Sequence, residues 1–261
     1  MYIRLPVNGG FRNKELALVS HRGGKGFGPE NTLQSLEAAI DFGVEMVETD
    51  VRMSKDGVPV IHHSPFLGFR LLGHMTAREI EESAPEVPTL EEYLELAAGR
   101  CALNLEIKKC DPAVLAEAIG GVETALPILV SSFDADFLVE FSRTGSPVQL
   151  GVLSQYELSG DRLLREADAC GATTLLPVSY SVREDLVRAA HAAGLRVVTW
   201  TVNSSEHALE LLHADVDGII TDSYPELKEW LENGLPGTRE GLAPVAGERP
   251  AGLQGGPNAY G

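Results

Sequence analysis

Short apolar runs alternate with helical stretches along almost the whole chain. The runs are "LALVSH" (16–21), "MVETDV" (46–51), "ALNLEI" (102–107), "ILVSSF" (128–133), "VQLGVL" (148–153), "TTLLPV" (173–178), "RVVTWTV" (196–202) and "GIITD" (218–222). Near-continuous apolar runs of this length suit strands covered on both faces, as in a parallel sheet. Between them, "TLQSLEAAIDFG", "DPAVLAEAIGG", "SVREDLVRAAHAAG" and "SSEHALELLHAD" read as helices, several stopping at glycine. Repeated strand–helix units predict an α/β fold, a TIM (β/α)8 barrel. A doubly wound open sheet is the alternative, which eight runs disfavour.

One piece breaks the repeat. "VPVIHH" (58–63) is an extra strand-like stretch after strand two, followed by the irregular loop "SPFLGFRLLGHM" and the helices "TAREIEESA" and "TLEEYLELAAG". This is a short insertion after strand 2. Residues 236–261 are rich in Gly, Pro and Ala without periodicity and are expected to form a disordered tail, leaving 1–235 as the barrel domain.

The active site of such a barrel lies at the C-terminal ends of its strands. Strand one ends at His21 and Arg22, and the extra piece at His62 and His63. Strand two carries Glu48 and Asp50, two apart and so on one side; strand three ends with Glu106 and Lys108, again on one side. Strand four offers Ser132, strand seven Trp200 and Asn203, strand eight Thr221 and Asp222. Three carboxylates so close repel one another and need a cation. Lys108 supplies part of it, and an oxygen-liganded Mg2+ or Ca2+ would supply more; the alternative is a carboxylate–lysine network.

His21 and His63 suit acid–base work near neutral pH, and alternation points His62 to the other face. His74, His191, His207 and His213 fall in a loop or on helices and read as surface or packing residues. The glycines of "GGKGFG" let backbone N–H groups approach a ligand, although the spacing is neither a Walker loop nor a dinucleotide fingerprint. Glu30 or Asn31 beside it can cap the next helix, and Arg22 offers a fork for phosphate or carboxylate. Trp200 is either core or a substrate wall.

The net charge of −17 argues against nucleic acid or an anionic membrane as the main partner. Three cysteines, Cys101, Cys110 and Cys170, match no zinc spacing and suggest reduced thiols. No apolar run is long enough to span a bilayer and the N-terminus lacks signal-peptide features, so no stable membrane anchor and a cytoplasmic location are expected.

Together, "HRGGKGFGPENT", "GVEMVETDVRMSKDGVPVIHH", "LNLEIK", "TWTVN" and "GIITDSYP" resemble the glycerophosphodiester phosphodiesterase family, in order from about residue 16 to 232. The resemblance implies a TIM barrel that hydrolyses small phosphodiesters to sn-glycerol 3-phosphate and an alcohol with a divalent cation. It implies Glu48, Asp50 and Glu106 as metal ligands and His21 and His63 as the acid–base pair. Arg22 and Lys108 would bind phosphate, Glu30 would stand near the metal or the reacting groups, and Trp200 would line the pocket. Two features depart from the pattern: Ser64 stands where the family usually has Asp, and the stretch before "VPTLEEYL" is shorter than in many members. A shorter insertion suggests an open mouth, so lysophospholipase D-type activity on lipid diesters is a second reading. Phe66, Leu67, Phe69, Leu71 and Leu72 would then be exposed rather than packed. A barrel that binds a phosphorylated ligand without turnover is the third, and only Ser64 points to it.

Overall fold

The computed structural model describes residues 3–4, 15–122, 126–155 and 160–233. Eight parallel strands close into a barrel: β1 (Glu15–Ser20), β2 (Met46–Met53), β3 (Ala102–Ile107), β4 (Ile128–Ser132), β5 (Gln149–Ser154), β6 (Thr174–Pro177), β7 (Arg196–Thr199) and β8 (Gly218–Thr221). Each pairs with the next, and β8 returns to β1 with Ile220 opposite Val19. The expected TIM barrel is therefore the observed fold. The run 196–202 outlasts its strand, because only Val198 and Thr199 of β7 are laddered to β8.

Helices cover the outside: α1 (Leu33–Phe42), α2 (Ala77–Ser83), α3 (Leu90–Ala97), and α4 to α9 (Pro112–Gly120, Ala135–Ser142, Gly160–Cys170, Glu184–Ala192, Ser205–His213, Tyr224–Asn233). Capping boxes start α2 at Thr76 and Glu79, and α3 at Thr89 and Glu92. The outward strand positions Leu18, Val47, Leu103, Val130 and Ile219 join Leu36, Leu94, Leu115 and Leu138 of the helices in the main core. Inside the barrel, Val19, Leu129, Leu153, Leu176 and Ile220 form a small apolar plug. Above it the inward positions of β2 and β3 turn polar, which makes the C-terminal mouth the chemical face. A cavity of about 220 Å³ opens near the other end, beside Ala17, Met46, Ala102 and Val198, and none of the expected site residues lines it.

The insertion is more ordered than its sequence suggests. Pro59–Ile61 pairs antiparallel with the C-terminal half of β2, with Val51 opposite Ile61. The stretch read as an irregular loop contains a hairpin, Phe66–Leu67 with Arg70–Leu71, and a turn of 3-10 helix at Leu72–His74. Leu72 packs with Val60, Met75 and Ile80, and Leu67 leans on that cluster. Phe66, Phe69 and Leu71 instead stay exposed, Phe69 completely. Of the five apolar residues of this stretch, Leu67 and Leu72 are thus packed and Phe66, Phe69 and Leu71 are exposed.

The three cysteines are unpaired, with Cys101 and Cys170 buried. Among the described residues no helix is long and apolar enough to cross a membrane. The expected tail, 236–261, lies outside the described residues.

Candidate active site

Alternation along β2 turns Glu48 and Asp50 inward together, and the register of β2 with β3 sets Asp50 opposite Glu106. One oxygen from each of Glu48, Asp50 and Glu106 lies within 4.8 Å of the others. All three are buried, Glu48 and Asp50 at 2% and 1% exposure. Burial, together with Asp50 and Glu106, pushes the Glu48 carboxyl well above the usual carboxylate range. Burial also lifts Glu106 to about 7, against the pull of Lys108. Burial works the same way on Asp50, yet Lys108, His63, Asn31 and Arg22 together hold it below its ordinary value.

Lys108 meets Glu106 directly and Asp50 Oδ1 at 3.3 Å, so the carboxylate–lysine network is present. It does not use up the cluster. Glu48 Oε1 is buried with no hydrogen-bond partner among the described residues. Three carboxylates with one orphaned oxygen fit a hard cation, and the donor set is all oxygen, as Mg2+ or Ca2+ requires.

Both expected histidines border this cluster. His21 follows β1 with Nε2 3.7 Å from Glu48 Oε2, while its Nδ1 lies 2.7 Å from Asp222 Oδ1. His63 follows the extra strand and feels the charges of Asp50, Arg22, Lys108 and Glu30; burial pushes its imidazole down to about 4. Arg52 fixes the chain there, donating through Nε to the His63 carbonyl at 2.9 Å. His62 points elsewhere, to the Phe66 carbonyl at 3.2 Å. Ser64 Oγ accepts from the Phe66 N–H at 3.0 Å and so shapes the hairpin turn.

The glycine-rich loop grips the cluster from above. The Arg22 N–H donates to Glu48 Oε2 at 2.9 Å and the Gly23 N–H to the Glu48 carbonyl at 2.7 Å. The N–H groups of residues 22 and 23 thus go to a carboxylate residue of the cluster. The loop runs tight against α1, where a Cβ on Gly24 would sit 2.8 Å from the Ser35 carbonyl oxygen. Phe27 anchors it in an aromatic group with Phe42 and Tyr224, ring centroids 5.1 and 6.2 Å away.

The Arg22 guanidinium pairs with Glu30, 3.1 Å from Oε2, and its Nε is buried without a partner among the described residues. Lys108 also lies over the Phe133 ring, 5.6 Å from the centroid. Trp200 meets the same ring edge-on at 5.6 Å and donates from Nε1 to the Leu176 carbonyl at 2.8 Å. Ser132 and Thr221 serve the scaffold, donating to the Ile107 carbonyl and to Asn203 Oδ1.

Two residues matter more than the sequence suggested. Asn31 does not cap α1; Thr32 does, accepting from the Ser35 N–H. Asn31 is buried against Asp50. Asp222 is the partner of His21, a pairing that alternation along β1 and β8 carries but that needs the β8–β1 closure to be seen.

Residues 21–226 match the glycerophosphoryl diester phosphodiesterase family. The glycerophosphodiester phosphodiesterase of Bacillus altitudinis is 30% identical over 234 residues, 80% of this chain and 95% of that protein. That of Caldanaerobacter subterraneus subsp. tengcongensis is 27% identical over 240 residues, 83% of this chain and 98% of that protein. Among solved structures, an Oleispira antarctica phosphodiesterase in complex with the product sn-glycerol-3-phosphate is similar at a TM-score of 0.74 and 27% identity, covering 81% of this chain and 95% of that one. Fold, motif order and carboxylate cluster lead to the same place: the chain belongs to the glycerophosphoryl diester phosphodiesterase family.

Proposed function

We propose that this protein hydrolyses glycerophosphodiesters to sn-glycerol 3-phosphate and an alcohol, with a divalent cation, Mg2+ or Ca2+, held by Glu48, Asp50 and Glu106. The observation that carries the reading is the buried carboxylate triad bordered by His21 and His63 and roofed by Arg22. When bound, the cation offsets the carboxylates and polarises the phosphoryl oxygens as a Lewis acid. Arg22 and Lys108 orient the phosphate and stabilise charge that develops on it. One histidine takes the proton of the glycerol 2-hydroxyl, whose oxygen attacks phosphorus. The P–O bond to the alcohol breaks, and the departing oxygen takes a proton from the other histidine. Water then opens the cyclic diester with the two roles reversed, giving sn-glycerol 3-phosphate. The Phe133–Trp200 pair would wall the substrate, and Glu30 holds the Arg22 fork in place.

The exposed hairpin favours a second reading. Phe66, Phe69 and Leu71 stand out on the segment that follows His63. A monoacyl phosphodiester could lay its chain there, which is a lysophospholipase D-type use of the same site. Release of sn-glycerol 3-phosphate from glycerophosphodiesters, and of the matching lipid phosphate from lysophospholipids, tests both readings. The assay is run with Mg2+, with Ca2+ and with chelator, beside His21→Ala and Glu48→Ala. Cation-dependent release abolished in both variants is the expected result. Folded protein that binds phosphate without release under any condition would favour the third reading, a non-catalytic barrel.

A further inference from the structure

The end of β8 is built around one carboxylate that the reaction as written does not use. Ile220 pairs with Val19, so two residues on Asp222 falls beside His21. Asp222 Oδ1 lies 2.7 Å from His21 Nδ1. Its other oxygen is held independently: Asn203 Nδ2 donates to Oδ2 at 3.1 Å, and Lys25 Nζ lies 3.4 Å away. Asn203 in turn accepts from the Asp222 N–H at 2.9 Å and from Thr221 Oγ1 at 3.2 Å through its Oδ1, which fixes its amide. Gly26 presses on the same residue from the loop, where a Cβ would come within 2.7 Å of the Asp222 carbonyl oxygen. Two loops and a strand end therefore converge on Asp222, and its free direction is the imidazole.

We infer that Asp222 is the positioning residue of His21, keeping the proton on Nδ1 and leaving Nε2 as the nitrogen that exchanges a proton with the substrate. A carboxylate acceptor at Nδ1 selects the Nδ1–H form of the neutral ring. The ring then turns Nε2 toward Glu48, 3.7 Å away, at the edge of the carboxylate cluster. The hydrogen bond from His21, above all, keeps the Asp222 carboxyl well below the usual carboxylate range, so it stays an acceptor. Among the described residues no carboxylate is hydrogen-bonded to the His63 ring. Ser64, its neighbour in the chain, turns to the Phe66 N–H. The two histidines of the site are thus differently held, one by a carboxylate at its ring and the other by Arg52 at its backbone.

This inference rests on the acid–base reading of His21, and the test separates the two. Ring 15N shifts of wild-type protein, assigned by the signal lost in His21→Ala, are expected to show the Nδ1–H tautomer in the neutral ring. Asp222→Asn should move His21 to the Nε2–H form and lower kcat about a hundredfold or more, with KM changed less than about threefold. Asn203→Ala, which leaves the carboxylate but frees it, should lose less. A neutral Nε2–H ring in wild-type protein would overturn the inference. So would wild-type kcat in Asp222→Asn while His21→Ala is inactive. An active His21→Ala enzyme would instead remove the acid–base reading, and the ring shifts would still decide whether Asp222 orients the imidazole.

Discussion

Asn31 donates through Nδ2 to Asp50 Oδ2 at 2.9 Å while its own Oδ1 accepts from Thr49 Oγ1 at 2.7 Å. One buried amide so fixes the orientation of a carboxylate that faces the site. Its backbone is left-handed, φ 60°, a region Asn tolerates better than most residues. Groups that orient metal ligands are commonly worth about ten- to hundredfold in affinity, and that is the loss expected for Mg2+ or Ca2+ in Asn31→Gly. Glycine keeps the backbone and deletes only the amide. Asn31→Ala adds left-handed strain of about 1–2 kcal/mol and should lower Tm further. Calorimetric titration of the cation, with a melting curve for each variant, checks both.

A cation held by the carboxylate cluster, as proposed, would compete there with protons. Burial holds Glu106 up at about 7, and Glu48 is raised as well. Between the ordinary carboxylate value of 4.5 and about 7, the folded, cation-free protein keeps a proton on Glu106 that the unfolded chain has lost. That contribution to stability is present at low pH and lost as pH rises through about 7. A cation must displace the proton, so its affinity should rise with pH through the same window. Titration in two buffers of different ionisation enthalpy should show proton release on binding near neutral pH. Chelator should lower Tm more at about pH 8 than at about pH 5. Equal effects at the two pH values would mean the cation binds elsewhere.

Most of the barrel was legible because strands buried on both faces read as apolar runs, and a two-residue period then assigns each side chain a face. That logic put Glu48, Asp50 and Glu106 together and separated His63 from His62. It failed where one strand end meets another across the barrel closure. Asp222 has the same phase as Ile220 and a closed barrel sets β8 beside β1, but phase assigns a face and not which side chains at neighbouring strand ends meet. Asn31 misled for a different reason: an Asn before a helix usually caps it, and here Thr32 takes the cap so that the amide is free to turn inward. The loop 64–75 lacked periodicity because its strands are only two residues long.

The hairpin allows the two substrate readings to be separated. Arg70 pairs with Glu79 Oε1 at 2.8 Å, which ties the hairpin to α2, while Phe69 stands free. If an acyl chain covers Phe69, that burial is worth about 1.5–3 kcal/mol, or about ten- to hundredfold in kcat/KM. Phe69→Ser should then lose that factor on lysophosphatidylcholine and leave glycerophosphocholine hydrolysis unchanged. A zwitterionic lipid is the right probe because the chain carries a net charge of −17. An unchanged kcat/KM on lysophosphatidylcholine in Phe69→Ser would mean that no acyl chain lies on Phe69 and would return the reading to chain-free diesters.

Gly26 is where the glycine-rich loop and the end of β8 come closest. A methyl group there would lie 2.7 Å from the Asp222 carbonyl oxygen, and backbone cannot swing aside as a side chain can. Gly28, two residues on, has its nearest neighbour at 3.4 Å, the Ser35 Cβ. Overpacking of this kind commonly destabilises by about 1–3 kcal/mol, so Gly26→Ala should lower Tm by several degrees more than Gly28→Ala. The more telling readout is kinetic. Relief of the clash has to move the loop or the strand end, and each carries part of the site: Arg22 and Lys25 on one, Asp222 on the other. Gly26→Ala is therefore expected to lose kcat beyond its loss of folded protein, whereas Gly28→Ala keeps it. Matching kcat in the two variants, each corrected for the folded fraction, would show that the loop's approach to Asp222 serves packing alone.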